Sequence, residues 1–380
     1  MKKIAISVCI GAFILQACAQ NQPSTSKDTK VEKKIYTPKE KYTLKDYLSS
    51  NEQLDKDVDA IITALNDRAL VAQLIMPAVG RLGLTNEVIE KQIKDTLIGG
   101  VLMLNGTKEE FTKWISNYNE INPYSKSLPF LYSADAEPSL VNRKIIGSTP
   151  VLKANEMKDI DEVIKFTTII SKDLNAIGIN YNFSPVVDMS PNKTVGFRSF
   201  GANPENIIPW SNAFIQETQK NNIIATAKHF PGHGLVSGDT HKALQMIDGE
   251  LKEIGNYPKL IEDGVLSIMV AHIAVKNNPE YDTKGLPSTL SPEIVQHLLR
   301  EKFNFKGLIV TDAMNMGGVN SIPNAEVKAI EAGCDIVLMP MNIEKAHASI
   351  LKKVKEDAAF KAKVTAAAKR IVRMKLCILK

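Results

Sequence analysis

The chain alternates short, strongly apolar runs with longer segments of helical spacing. Leu54, Val58, Ile61, Ile62 and Leu65 recur at helical intervals, which predicts an amphipathic helix over 54–65. Eight apolar runs follow: Ala72–Pro77, Gly99–Leu104, Phe130–Ser133, Tyr181–Val187, Ile223–Ala227, Ser267–Ala271, Gly307–Thr311 and Asp335–Met339. Several are nearly continuous in apolar residues. Strands buried on both faces have this character, and parallel sheets covered by helices require it. Strand and helix alternating about eight times predict an α/β chain, in the form of a (β/α)8 TIM-type barrel with a single domain. A doubly wound open sheet would share this periodicity. No GxGxxG turn follows any of the runs, which weighs against a dinucleotide-binding fold. Asp357 to Leu379 has Ala- and Lys-rich helical spacing and predicts a closing helix.

The N-terminal pattern is different. Met1-Lys2-Lys3 is basic, and the apolar stretch Ile4–Leu15 is too short to span a bilayer comfortably. It ends in Leu15-Gln16-Ala17-Cys18, which resembles a bacterial lipobox. That reading gives a signal peptide over residues 1–17 and lipidation of Cys18; an ordinary secretory signal with a chance cysteine is the alternative. Residues 18–35 are polar, cannot bury enough surface to fold, and read as a tether spanning roughly 20–30 Å. The folded domain is expected over residues 36–380. Apart from Cys9 and Cys18, the chain has Cys334 and Cys377, too few for a disulfide framework or a zinc site. The net charge of +5 comes from scattered lysines with no aromatic-interleaved basic stripe, which argues against a nucleic-acid partner.

Polar residues directly follow several of the apolar runs. Asp135 and Glu137 follow the third, Asp188 the fourth, Lys228-His229 and His233 the fifth, His272 the sixth and Asp312 the seventh. In a parallel barrel the C-terminal strand ends build the active site, so these positions predict one convergent polar pocket. Three of the six histidines, His229, His233 and His241, lie within thirteen residues. Asp239 stands two residues before His241, where a carboxylate can orient the ring and raise its basicity. Gly234–Gly238 has neither helical nor strand pattern and reads as a mobile loop. The histidines and Asp312 could in principle ligate zinc, but Pro231 between His229 and His233 blocks the helix that an HExxH-type site needs. No metal and no cofactor are expected.

Two motifs carry a resemblance. Lys228-His-Phe-Pro-Gly-His-Gly234 followed by Asp239-Thr-His241 is similar to the signature of glycoside hydrolase family 3, in its β-N-acetylhexosaminidase branch. Gly307-Leu-Ile-Val-Thr-Asp-Ala-Met314 looks like that family's nucleophile strand. Ser184–Asp188, Arg198–Gly201, Pro287–Pro292 and Glu331–Asp335 follow in family order. The resemblance implies that Asp312 is the nucleophile and that Asp239 and His241 form the acid/base dyad. It implies that Asp135, Arg143, Arg198, Lys228 and His229 bind sugar. His233 is expected to hold the loop, and His272 is open between sugar contact and structure. One departure stands out: cytoplasmic relatives usually follow Asp-x-Glu with Gly-Gly, whereas this chain has Pro138-Ser139, so the loop toward Arg143 must run differently.

The implied activity is a retaining exo-β-N-acetylglucosaminidase acting on terminal β-linked GlcNAc in glycans such as peptidoglycan fragments. A glycoside phosphorylase of the same fold and a non-catalytic sugar-binding protein are the alternatives. The expected partners are a glycan and, through the lipid, a membrane. The expected location is the bacterial cell envelope, on the outer membrane if there is one, and the domain size suggests a monomer.

Overall fold

The computed structural model describes residues 38, 40–125, 128–189, 192 and 195–379. The signal peptide, Cys18 and the tether lie outside the described residues. Every apolar run contributes strand. In chain order these are β1 (Ile75–Met76), β2 (Ala78–Val79), β3 (Gly100–Met103), β4 (Leu131–Ala134), β5 (Tyr181–Asn182), β6 (Ile224–Phe230), β7 (Ser267–Val270), β8 (Leu308–Thr311) and β9 (Val337–Leu338). A seven-stranded ladder runs in the order β8-β7-β6-β5-β4-β3-β2, and β9 pairs with β1. All these pairings are parallel.

Pro77 interrupts β1 and β2, yet bonding to β3 continues on both sides of it. Gly99 N donates to Ile75 O at 3.1 Å and Leu104 N to Val79 O at 2.7 Å. Beyond β8, Thr311 N donates to Ile336 O at 3.0 Å. The result is an α/β fold built on a curled parallel sheet. The strands of the ladder are buried throughout, as their continuous apolar runs require.

Helices cover the sheet: α1 (Glu52–Ala64), α2 (Asp67–Ala72), α3 (Asn86–Lys94), α4 (Lys108–Ile121), α5 (Ile160–Ile177), α6 (Pro204–Lys220), α7 (Tyr257–Glu262), the π-type helix Glu293–Lys302, α8 (Ala325–Ala332), α9 (Ile343–Glu356) and α10 (Ala358–Ile378). The first predicted run starts later than expected. Asn66 caps α2 by accepting from Ala69 N at 2.9 Å, and the helix takes up residues to Ala72 before β1 begins. The closing helix forms as predicted, with Asp357 accepting from Phe360 N at 3.0 Å. Its Arg373 donates to Tyr47 O at 2.6 Å and Ser49 O at 2.7 Å, which ties the segment before α1 to the end of the chain.

Lys375, also on α10, is fully buried at the N-terminal end of the sheet. Its Nζ donates to Gln73 Oε1 and to Gly99 O, both at 2.7 Å. Among the described residues no carboxylate pairs with it, and burial pushes the amine down to about 7. A neutral amine has two hydrogens, which match the two acceptors. Between about pH 7 and the ordinary lysine range near 10.5 the unfolded chain holds a proton here that the folded chain lacks, so stability rises with pH. Relative to Lys375→Met, the wild-type protein should therefore gain unfolding free energy between pH 7 and 9.5, by at most about 1.4 kcal/mol per pH unit. Urea denaturation of both proteins across this range checks it; a constant difference contradicts a neutral Lys375.

Candidate active site

The polar strand ends meet at the C-terminal edge of the sheet. Lys228 lies within β6, where an apolar run would put a hydrophobe, and its ammonium is almost wholly buried. A buried ammonium needs counter-charge. Its Nζ is 2.9 Å from Asp135 Oδ1 and 2.5 Å from Glu137 Oε1, both from the loop leaving β4. Arg198 grips Glu137 with a fork, Nε to Oε2 at 2.8 Å and Nη2 to Oε1 at 2.7 Å. Lys144 donates to Asp135 Oδ2 at 2.6 Å. Burial alone would raise both carboxyl pKa values. The two lysines instead hold Asp135 far below the usual carboxylate range, and Arg198 with Lys228 holds Glu137 near about 2. The same carboxylates raise Lys228 against the effect of its burial. Asp135, Glu137, Arg198 and Lys228 are therefore all ionised at neutral pH.

Asp188 organises a second cluster. It accepts from His229 N at 3.0 Å and His233 N at 2.9 Å, and its Oδ2 lies 2.6 Å from His229 Nδ1. With Nδ1 engaged there, His229 presents Nε2 at its other end. Despite its burial, the charges of His229 and His233 keep Asp188 below its ordinary pKa. His233 passes the connection on, with Nε2 2.9 Å from Thr240 Oγ1. Gly234 follows because nothing larger fits: a Cβ there would lie 1.6 Å from Met189 O. Glu253 fastens the same turn by accepting from Met189 N at 2.6 Å, Leu235 N at 3.1 Å and Gly234 N at 3.2 Å. Burial and the Asp188 charge push the Glu253 carboxyl up to about 7, against the pull of these donors.

The loop then delivers Asp239 and His241. Asp239 Oδ1 lies 2.8 Å from His241 Nδ1 and accepts from His241 N at 3.0 Å. The carboxylate can only accept, so Nδ1 carries the hydrogen and Nε2 is the tip of the ring away from Asp239. The ring is 62% exposed, so the tip is open to an incoming molecule. Two backbone bonds join this loop to the turn after Asp312. Gly317 N donates to His241 O at 3.0 Å and Gly318 N to Thr240 O at 3.1 Å. A Cβ at Gly317 would sit 2.3 Å from Lys242 O and hold the two loops apart.

Asp312 itself follows β8, with its N donating to Val270 O at 2.9 Å. Burial works to raise its pKa, but the His229, His272 and His241 rings and the Ala313 N–H hold it below the ordinary value. It is thus a carboxylate at neutral pH, within electrostatic reach of the dyad. His272 is structural. Its Nε2 lies 3.0 Å from Ala313 O, beside Asp312, and its Nδ1 2.8 Å from the Thr289 hydroxyl, so both ring nitrogens are engaged within the protein.

The family model for the glycosyl hydrolase family 3 N-terminal domain matches residues 68–374. The chain belongs to this family. The chain is 30% identical over 293 residues to a β-hexosaminidase of Methylobacillus flagellatus, a match covering 72% of this chain and 82% of the relative. It is 28% identical over 269 residues to a β-hexosaminidase of Hydrogenovibrio crunogenus, covering 66% of this chain and 74% of that one. Among solved structures, the family 3 β-N-acetylglucosaminidase of Paenibacillus sp. str. FPU-7 superposes with a TM-score of 0.75 at 27% identity. That superposition covers 83% of this chain but 63% of the Paenibacillus protein, so part of the latter has no counterpart here. This family 3 protein is a glycosidase.

Within the family 3 site, the structure brings together Asp135, Arg198 and Lys228 in one cluster, and joins His229 to the dyad loop through Asp188 and His233. Arg143 stands apart. It is exposed on the short helix Val141–Lys144, and the neighbouring Lys144 occupies Asp135. The Pro138-Ser139 departure has a visible consequence: Ser139 Oγ donates to Phe197 O at 2.6 Å and accepts from Ala154 N at 2.9 Å. It thereby clamps the turn that carries Arg198. Lys144 and Glu253 are site residues that the sequence did not single out, and the contacts of Ser139 and Thr240 were not legible in it. Among the described residues no three His, Cys, Asp or Glu side chains gather as a metal ion would require.

Removing one partner of a buried ion pair strands the others. Glu137→Gln would leave Arg198 and Lys228 with Asp135 as the remaining carboxylate of the cluster. The expected loss is about 3–5 kcal/mol of unfolding free energy, read by denaturant titration followed by circular dichroism. A loss below about 1 kcal/mol, typical of exposed pairs, would show that the cluster is solvated.

Proposed function

We propose that this chain is a retaining exo-β-N-acetylglucosaminidase. The observation that carries the reading is the pairing of loops. A histidine with its Nδ1 fixed by Asp239 is bonded, through Thr240 O and His241 O, to the turn immediately after an ionised buried carboxylate. Retaining glycosidases need a nucleophile below the sugar and a proton donor beside the leaving oxygen. In the first step Asp312 attacks the anomeric carbon, the glycosidic C–O bond breaks, and His241 gives its Nε2 proton to the departing oxygen. In the second, His241 takes a proton from water, whose oxygen displaces Asp312 and releases the sugar. His241 enters the first step as an imidazolium, with Nδ1–H on Asp239 and the transferable proton on Nε2, and leaves it as the neutral imidazole that serves as base in the second. Asp135, Arg198, Lys228 and His229 would hold the sugar, with Arg143 contributing from the exposed rim.

The substrate is inferred from the relatives, whose names place them among β-hexosaminidases. Terminal β-linked GlcNAc is the sugar, and peptidoglycan fragments are the leading source. The pairings of β1 with β9 and with β3 support closure of the sheet into a (β/α)8 barrel. The lipobox-like Cys18 supports attachment to the bacterial cell envelope, with the domain acting as a monomer on a tether. Among the described residues no helix is long and apolar enough to cross a membrane.

Asp312→Ala should abolish release of p-nitrophenol from the β-N-acetylglucosaminide while leaving the circular dichroism spectrum intact. His241→Ala should slow glycosides with poor leaving groups by about 100-fold or more, the scale of general-acid catalysis, and activated aryl glycosides far less. Equal losses on both substrates remove His241 from the acid/base role. Release from the β-glucoside alone, or release that requires phosphate, contradicts the hydrolytic GlcNAc reading.

A further inference from the structure

Away from the catalytic centre, helices α3 and α4 enclose a hollow of about 660 Å³, beside Gly80 at the end of β2. This volume is within the range of small-molecule sites. The open outer face of α4, from Lys108 to Glu120, continues this surface and shares Lys113 and Asn117 with the hollow. The hollow and this face form one shallow groove that begins beside Gly80, at the strand-end side of the sheet where the active site also lies.

The lining is specific. Trp114 and Asn117 stand one turn apart on α4, and Asn86 and Glu90 one turn apart on α3. Glu90 Oε1 accepts from Asn86 Nδ2 and from Asn117 Nδ2, both at 2.7 Å, so one carboxylate fixes amides from both helices. Tyr118 OH donates to Asn86 Oδ1 at 3.0 Å and locks that amide further. Asn117 Oδ1 has no hydrogen bond among the described residues and is available as an acceptor. Trp114 is half-buried, and its indole rests on the fully buried Phe111, with ring centroids 5.8 Å apart at 47°. The indole is therefore braced by the core on one side while it lines the hollow.

We propose that this groove binds a neutral oligosaccharide chain. A braced indole provides an apolar platform for the C–H face of a pyranose, and pre-oriented amides match its equatorial hydroxyls. Glu87 and Glu90 outnumber Lys113 in the first hollow, which disfavours phosphates, nucleic acids and anionic lipid. A single aromatic ring does not form the cage that an alkylammonium requires. The groove's continuation along α4 suits an extended chain rather than one sugar. The choice of glycan as ligand rests on the glycosidase reading. The site would hold a polymer on the enzyme's flank while chain ends are processed.

The test uses the full chain carrying Asp312→Asn, so that glycan is not consumed, in native gels containing glycol chitin, with chitohexaose titration alongside. Trp114→Ala and Asn117→Ala are added separately; the latter leaves the Trp114–Phe111 contact in place. Each should weaken binding about fivefold or more, while the same substitutions in otherwise wild-type enzyme leave turnover of the p-nitrophenyl monosaccharide within twofold. Retardation equal to that of the parent in both variants, or no retardation of the parent, overturns the proposal. Failure of the monosaccharide assay in the wild-type enzyme would count against the enzymatic reading alone, because glycan binding is measured independently of it.

Discussion

The buried ammonium of Lys228 is the constraint around which the catalytic end of this sheet is organised. It lies inside a seven-residue strand whose every residue is buried, where an uncompensated charge would cost several kcal/mol. Asp135 and Glu137 compensate it from the end of β4, on the far side of β5, and each draws in a further cation, Lys144 and Arg198. Three cations against two carboxylates leave the cluster with a net charge of +1. The arrangement joins β4, β6 and the turn at Arg198 into one rigid polar floor. Ser139 adds a neutral clamp to the same turn. Groups held in this way keep their geometry when a ligand arrives, which is what preorganised recognition needs.

The second hub, Asp188, extends that rigidity to the most exposed chemistry in the site. It fixes His229 and His233; His233 holds Thr240; Thr240 and His241 bond through their carbonyls to the turn after Asp312. The dyad ring is open to solvent, yet the backbone on which it stands is fastened at every step. A loop without regular structure can then carry an acid/base group, because its register is set by named contacts rather than by a helix or strand. His272 does for Asp312 what His233 does for the dyad, with one ring nitrogen on Ala313 O and the other on the Thr289 hydroxyl.

Much of this was legible in the sequence for a simple reason. Strands buried on both faces cannot alternate polar and apolar residues, so each one shows as a continuous run, and a lysine directly at the end of such a run, as Lys228 after Ile223–Ala227, announces a site. The strand-end residues Asp135, Asp188 and Asp312 and the Asp239–His241 pair were visible for the same reason of position. Contacts that depend on tertiary geometry were not. Arg143 and Lys144 are adjacent cations on one short helix, and nothing in the sequence says which of them turns to Asp135. Glu253 comes well after His233 in an unremarkable segment, and its three backbone partners become neighbours only on folding. The Pro138-Ser139 departure was visible, but the hydroxyl's grip on Phe197 O was not. The start of β1 was read too early because the helix cap at Asn66 competes for the same residues.

The central claim is that Asp312 becomes covalently attached to the sugar. Incubation with a 5-fluoro analogue of an activated β-N-acetylglucosaminide slows both chemical steps and lets the glycosyl-enzyme accumulate. Intact-mass measurement followed by peptide mapping should show one sugar per chain, attached within the peptide containing Asp312 and absent from Asp312→Asn. Turnover of the parent substrate with no adduct, or an adduct on any other residue, would contradict the account.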